Sequence, residues 1–239
     1  MEKKYQHIFF DLDNTLWDFE KNSKKAMRVS FSHFFAPAEI LFENFFDVYS
    51  KINHQLWDEY KKRTIQKKDL IYERFKQTFD VCNLSGVEPE KMNTHYLDEM
   101  ARQKDLKKGA METIQYLVQK KYVLHIITNG FKEVQHKKIE TSGLQPFFSN
   151  VFISEEVKVP KPGREIFEYA IKSSNAKKSA SLMVGDDWLV DIVGANRFGI
   201  DSVYIPLGKH SGEPVSNPLA TNKYRVYIIG EIAELKQVL

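Results

Sequence analysis

Short apolar runs recur along the chain between segments with helical patterning. Ile8-Phe9-Phe10, Tyr122 to Thr128, Val151 to Ser154, Ser181 to Gly185 and Ser202 to Ile205 are each continuous in apolar or β-branched residues, the pattern of strands buried on both faces. Glu112 to Gln119 and Ile166 to Ile171 instead place apolar residues three and four apart, as amphipathic crossover helices do. Alternation of strand and helix predicts a parallel sheet with helices on both faces, a Rossmann-like α/β core. A short last strand, Arg225 to Ile229, and a helix from Glu231 onward would close it.

From Trp17 to Gln103 no comparable strand run occurs, and the pattern predicts successive helices. The expected division is therefore a core domain of residues 1–16 and 104–239 with a helical insertion at 17–103. Tyr49, Ile52, Leu56 and Tyr60 share one helical face, and Ile71, Phe75 and Phe79 another, as the interior of a small bundle would require. Gly86 and Pro89 mark a turn inside the insertion, and Gly109 marks the return to the sheet domain. Pro206 to Asn222, rich in Pro, Gly, Ser and Asn, reads as an exposed loop.

Composition narrows the classes. At 239 residues with 42% hydrophobic and 28% charged positions, the chain can bury a sizeable core. Thirty-five Lys and Arg against 32 Asp and Glu leave a net charge of +3, too small for a nucleic-acid or membrane footprint but compatible with a small anionic ligand. Cys82 is the only cysteine, so an internal disulfide and a cysteine-built zinc site are both excluded. The apolar run before Asp11 is too short for a signal-peptide core or a membrane span, and a reducing cytoplasmic setting is expected. The seven histidines show no metal-ligand spacing.

The chemistry gathers where strands end. Asp11-Leu12-Asp13-Asn14-Thr15 follows the first run, and ligands of open α/β sheets sit at the carboxyl ends of strands. Residues at i and i+2 face the same way if the extended geometry persists, and two close carboxylates are tolerated when a divalent cation lies between them or one keeps a proton. A polar turn closing the strand is the alternative. The second strand runs into Thr128-Asn129-Gly130, where a hydroxyl and a backbone amide at a helix start can bind an anion. Lys161 stands between Pro160 and Pro162, with Pro162 suited to the first turn of the next helix. Gly185-Asp186-Asp187 ends the fourth run, with Asp191 five residues beyond Asp186. Asp186 could join Asp11 in an oxygen shell for Mg²⁺, with Asp191 orienting from outside; acids capping a helix's first turn are the alternative.

In order and placement, Asp11-x-Asp13-x-Thr15, Thr128, Lys161 and Gly185-Asp186-Asp187-x-x-x-Asp191 resemble the four motifs of the haloacid dehalogenase superfamily, and the insertion resembles its C1-type helical cap. The resemblance implies a phosphatase in which Asp11 is the nucleophile and Asp13 the general acid and base. It further implies Mg²⁺ held by Asp11, the Asp13 backbone carbonyl and Asp186, with Asp187 and Asp191 in the outer shell, and phosphate held by Thr128, Asn129 and Lys161. Dehalogenase relatives generally lack the acid at the position of Asp13.

Residues 11–20, the segment from Leu56-Trp57 through Arg74-Phe75, and Thr128-Asn129-Gly130-Phe131 resemble the subfamily of pyrimidine 5′-nucleotidases acting on noncanonical nucleotides. That resemblance implies a nucleoside monophosphate as substrate. Asn53, Trp57 and Lys61 share a stripe beside the insertion's apolar face, so Trp57 could stack on the base with Asn53 bonding its edge, unless both only pack the cap. A sugar-phosphate phosphatase, a phosphomutase, a 2-haloacid dehalogenase and a non-catalytic binding module are the remaining readings. No nucleic-acid polymer or membrane partner is expected, and the chain is expected to be a monomer or weak homo-oligomer.

Overall fold

The structure, a computed structural model, describes residues 4–36, 40–208 and 224–239. The loop expected over Pro206 to Asn222 lies mostly outside them. The chain divides into two compact units, Met1–Phe19 with Lys104–Leu239, and Glu20–Gln103. The pattern of apolar runs places the change at Trp17. The chain stays with the first unit longer because Trp17 is fully buried there and both connecting segments pair: Asp18 N donates to Asp105 O (3.0 Å) and Lys107 N to Leu16 O (2.8 Å).

In the helical unit, α1 (Phe19–Phe35, entering from the first unit) is followed by α2 (Phe42–Lys61), α3 (Lys67–Val81) and α4 (Pro89–Ala101). Its interior is aromatic: the rings of Tyr49 and Phe75 stack at 5.2 Å and Tyr96 meets Tyr49 edge-on at 5.7 Å. The expected stripes are turned slightly. Ile52, Tyr60 and Ile71 are only half-buried, whereas Asn53 and Arg74 lie inside. A count of apolar residues misses them, because the Arg74 guanidinium donates to the side-chain oxygens of Asn53 (3.3 Å) and Asn93 and lies near the rings of Phe75 and Tyr96. Held in this way by its two terminal nitrogens, an arginine can be buried with its stem as packing material.

In the sheet unit, β1 (His7–Phe10), β2 (Val123–Thr128), β3 (Asn150–Ile153), β4 (Ser181–Gly185), β5 (Asp201–Tyr204) and β6 (Val226–Ile228) pair in the order β3-β2-β1-β4-β5-β6, every described pair parallel. Helices α5 (Ala110–Gln119), α6 (Lys132–Thr141), α7 (Ser154–Val157), α8 (Arg164–Ser173), α9 (Gly194–Phe198) and α10 (Leu235–Val238) connect and flank the strands. Phe9, Ile127 and Met183 pack with Ile166, Phe167 and Ala170 of α8 and Phe198 of α9. By strand alternation Ile8, Phe10, Leu124, Ile126, Leu182 and Val184 point to the opposite face, and all are buried, so both faces are covered. The Rossmann-like reading of the sequence therefore holds. Ser154, expected to end a strand, begins α7 instead. No described helix is long and apolar enough to cross a membrane.

The strand order fixes the site. From β1 the chain goes first to β2 and β3 on one side, then crosses to β4 and β5 on the other, so the switch of direction falls at β1 between its two neighbours. The carboxyl ends of strands flanking such a switch form a crevice. Asp11, Thr128 and Asp186 all stand at those ends.

Candidate active site

Asp11 continues the ladder one step past β1, its N–H donating to Val184 O (2.9 Å), which sets its carboxylate beside the end of β4. Lys161 meets it there. Its Nζ lies 2.6 Å from Asp11 Oδ1 and 2.7 Å from Asp191 Oδ1, with the side chain only 1% exposed. Burial works to lower the pKa of the ammonium, but Asp11 and Asp191 outweigh that effect, raise the pKa above the ordinary lysine value and hold Lys161 charged. The loop that delivers this lysine is a four-residue turn, closed by Gly163 N donating to Pro160 O (2.9 Å) around the cis Lys161–Pro162 bond. Pro162, expected in the first turn of the next helix, therefore lies outside it, and α8 begins at Arg164 after the cap residue Gly163.

Asn129, expected to hold phosphate, uses its side chain for Lys161. Its Nδ2 donates to Lys161 O and its Oδ1 accepts from Lys161 N, both at 2.9 Å, a reciprocal pair that fixes the turn to the end of β2. Thr128 presents its hydroxyl differently. Its Oγ1 accepts from Gln135 Nε2 (2.7 Å) and Gly130 N (3.3 Å), which fills both acceptor positions and leaves its own hydrogen to donate. Gly130 is required by this approach, since a Cβ there would fall 2.3 Å from Gln135 Cδ.

The acids divide into two groups. Asp11, Asp186 and Asp191 each offer a carboxylate oxygen within 4.8 Å of the others. Burial raises all three above the ordinary carboxylate range, and repulsion from neighbouring acids adds to it: from Asp191 and Asp186 on Asp11, from Asp191 and Asp187 on Asp186, which reaches about 7, and from Asp187 on Asp191. One lysine does not balance three carboxylates. A hard dication with oxygen ligands fits this donor set and would relieve the repulsion. Thr15 donates its hydroxyl to Asp186 Oδ1 (3.0 Å) and orients that carboxylate.

Asp13 stands apart from the cluster. Extended geometry ends at Phe10, Asn14 has a positive φ of 64°, and Leu16 N turns back to Leu12 O (3.0 Å), so the two motif acids meet different partners. Asp13 Oδ1 accepts from Lys138 Nζ and Oδ2 from Gln135 Nε2, both at 2.9 Å. Neither α6 residue belongs to a motif of the sequence. Their signal was available: Gln135 and Lys138 are polar residues three apart on the buried face of α6, beside Val134 and Ile139.

After β4, Gly185 leaves room for Asp191, whose Oδ2 would lie 2.3 Å from a Cβ at that position. Asp187, expected in a metal's outer shell, caps the following helical turn, its Oδ1 accepting from Leu189 N (3.1 Å) and Val190 N (3.0 Å). Asp191 Oδ2 accepts from Asp187 N (3.1 Å), so the acids of this motif brace one another. Trp188 is half-buried, its ring edge-on to Tyr204 at 5.2 Å. In the helical unit, the Asn53 side-chain oxygen is engaged by Tyr49 and Arg74, and half-buried Trp57 meets Tyr60 edge-on at 5.6 Å.

Comparisons with known proteins identify the family. A sequence model of the haloacid dehalogenase-like hydrolases matches residues 5–199. The chain is 32% identical over 238 residues to the pyrimidine 5′-nucleotidase YjjG of Escherichia coli, spanning 99% of this chain and 98% of that protein. It is 30% identical over 203 residues to the pyrimidine 5′-nucleotidase PynA of Streptococcus pneumoniae, spanning 84% of this chain and 83% of that one. Among solved structures, the HAD-hydrolase YfnB of Bacillus subtilis bound to magnesium superposes with a TM-score of 0.83 at 25% identity, covering 99% of both chains. The acid cluster, its buried lysine and the separately held Asp13 thus belong to a member of the haloacid dehalogenase-like hydrolase family.

Proposed function

We propose that this hydrolase is a Mg²⁺-dependent phosphomonoesterase working through an aspartyl-phosphate on Asp11, with nucleoside 5′-monophosphates, pyrimidine ones foremost, as substrates. The observation that carries the reaction class is the separation of the two motif acids. Asp11 is buried beside Lys161 at the mouth of the sheet, and Asp13 is held by α6 with a quarter of its side chain exposed. One carboxylate is placed to attack, the other to exchange protons. The substrate class rests on the similarity to the two pyrimidine 5′-nucleotidases.

In this reading Asp11 attacks phosphorus as the ester bond breaks, and Asp13 protonates the leaving oxygen. Asp13 then takes a proton from the water that hydrolyses the phosphoenzyme. Thr128 donates its free hydroxyl hydrogen to a phosphoryl oxygen, and Lys161 supplies positive charge beside it. The side chain of Asn129 keeps Lys161 in place, which leaves its backbone amide for the anion. Asp11, Asp186 and the Asp13 carbonyl would hold Mg²⁺, with Asp191 orienting from behind. When bound, the ion supplies charge neutralisation on the phosphoryl group and screens the acids from one another. Trp57 is the helical-unit residue proposed to select the base. Asn53 is a weaker candidate, because its oxygen already serves Arg74. A single cysteine suits a reducing compartment, and we place the protein in the cytoplasm.

The test is phosphate release with Mg²⁺ from a panel of nucleoside monophosphates and sugar phosphates. Pyrimidine 5′-monophosphates are expected to turn over with the highest kcat/KM. Sugar phosphates outrunning every nucleotide would overturn the substrate class, and no release from any ester would overturn the reaction class.

A further inference from the structure

We propose that Gln135 and Lys138 of α6 are the positioning residues of the acid–base carboxylate, holding Asp13 by both oxygens and tying it to the phosphate-binding hydroxyl of Thr128. This rests on the phosphomonoesterase reading.

The geometry is specific at each contact. Lys138 is 3% exposed, and its ammonium lies 2.9 Å from Asp13 Oδ1 and 4.3 Å from the centre of the Trp17 ring. Trp17 belongs to the same motif loop as Asp13, to which it is bridged, so one loop supplies both the anion and the aromatic wall of the lysine's site. The lysine therefore has one orientation rather than the several a solvated ammonium explores. Gln135 is fully buried and uses both hydrogens of Nε2, one on Asp13 Oδ2 and one on Thr128 Oγ1. The opposite amide orientation would set a carbonyl oxygen against the Asp13 carboxylate. As it stands, Gln135 Oε1 is buried without a hydrogen-bond partner, a cost the fold carries to keep the bridge. Gly130, which leaves the space Gln135 crosses, is part of the same device.

This arrangement does what proton transfer demands. In the first half-reaction the bond from Asp11 oxygen to phosphorus forms, the ester P–O bond breaks, and the Asp13 proton passes to the departing oxygen. In the second, water oxygen bonds to phosphorus, the Asp11–phosphorus bond breaks, and the water's proton returns to Asp13. Each carboxylate oxygen has two acceptor sites, and the α6 residues occupy one on each. The other remains for the proton, so Asp13 can serve both steps without leaving its clamp. Linking it to Thr128 keeps the proton-transferring oxygen in register with the bound phosphoryl group, where a displacement of about 1 Å can cost about a hundredfold in rate.

The experiment compares wild type with Lys138→Met, Lys138→Arg and Gln135→Leu, each shown to melt cooperatively, on a nucleoside 5′-monophosphate and on 4-nitrophenyl phosphate with Mg²⁺. Lys138→Met should lower kcat on the nucleotide by about 100-fold, within the range of lost acid–base catalysis, with KM changed less than about threefold. Nitrophenolate leaves without a proton, so its pre-steady-state burst should persist while steady-state turnover falls and phosphoenzyme accumulates. Lys138→Arg should recover much of the loss, and Gln135→Leu should show the same split more weakly. Equal losses in burst and turnover on both esters, or wild-type kcat in Lys138→Met, would overturn the inference. An inactive wild type would instead bring down the phosphomonoesterase reading itself.

Discussion

Lys161 Nζ sits 2.6 Å from Asp11 Oδ1, with the lysine side chain 1% exposed, so the third sequence motif is tied to the first by a direct, buried ion pair. Breaking a buried pair strands the remaining charge, which typically costs about 3–5 kcal/mol. Lys161→Met should therefore lose phosphate release by about 10³-fold, the scale of a lost electrostatic stabiliser. It should also melt earlier than wild type in EDTA, and Mg²⁺ should restore part of that difference. Equal melting temperatures for the two proteins in EDTA would show that the pair is not structural.

Asp11→Asn and Asp13→Asn should fail differently. The first removes the proposed nucleophile and should abolish both turnover and phosphoenzyme. The second should retain phosphoenzyme formation from 4-nitrophenyl phosphate while slowing turnover by about 10²- to 10⁴-fold. Acid-quench trapping of labelled phosphoenzyme distinguishes them, and substantial turnover in Asp11→Asn would remove the covalent mechanism.

Metal binding should be visible without activity. A dication bound only by the folded state stabilises it by about 2.7 kcal/mol at a hundredfold excess over Kd. Calorimetry of wild type should show a rise in Tm with Mg²⁺, and Asp186→Asn should flatten that rise. A wild-type Tm indifferent to Mg²⁺ would argue against the site.

Gly185→Ala tests the packing behind the site. The new Cβ would meet Asp191 Oδ2 at 2.3 Å and push that carboxylate off Lys161. Overpacking of this kind costs about 1–3 kcal/mol. We expect a lower Tm together with at least about tenfold lower kcat, measured by melting and steady-state kinetics; a variant that matches wild type in both would mean the backbone yields freely there.

His125 predicts acid sensitivity away from the site. It is buried in the sheet, its ring stacked on Phe9 at 4.6 Å, with Nδ1 facing Asn150 and Nε2 facing His7. Burial, and then the neighbouring His7, push its pKa down to about 4. A histidine depressed in the folded state favours the neutral form, so its contribution to stability is present above the unfolded value near pH 6.5 and is lost as pH falls toward 4. Denaturant midpoints from pH 7 to pH 4 should decline, and His125→Gln should decline less steeply over that window. Parallel slopes would assign the acid response to other groups.

The strands and their polar ends could be read from the sequence because they obey local rules. A continuous apolar run must be buried on both faces, and an acid at its carboxyl end interrupts that run visibly, as Asp11 interrupts Ile8-Phe9-Phe10 and Asp186 follows Ser181–Gly185. The alternation of strand and helix likewise determined the parallel core and the helical insertion. Tertiary structure alone decided which polar group serves which. Lys161 reads as a phosphate ligand from its motif, yet in the fold it lies between Asp11 and Asp191. Asn129 holds Lys161 by its backbone, Asp187 caps a helical turn, and Gln135 and Lys138 reach Asp13 from more than 120 positions along the chain. Sequence spacing encodes which face of an element a residue occupies, whereas these pairings depend on where separate elements cross, which is settled by packing across the sheet.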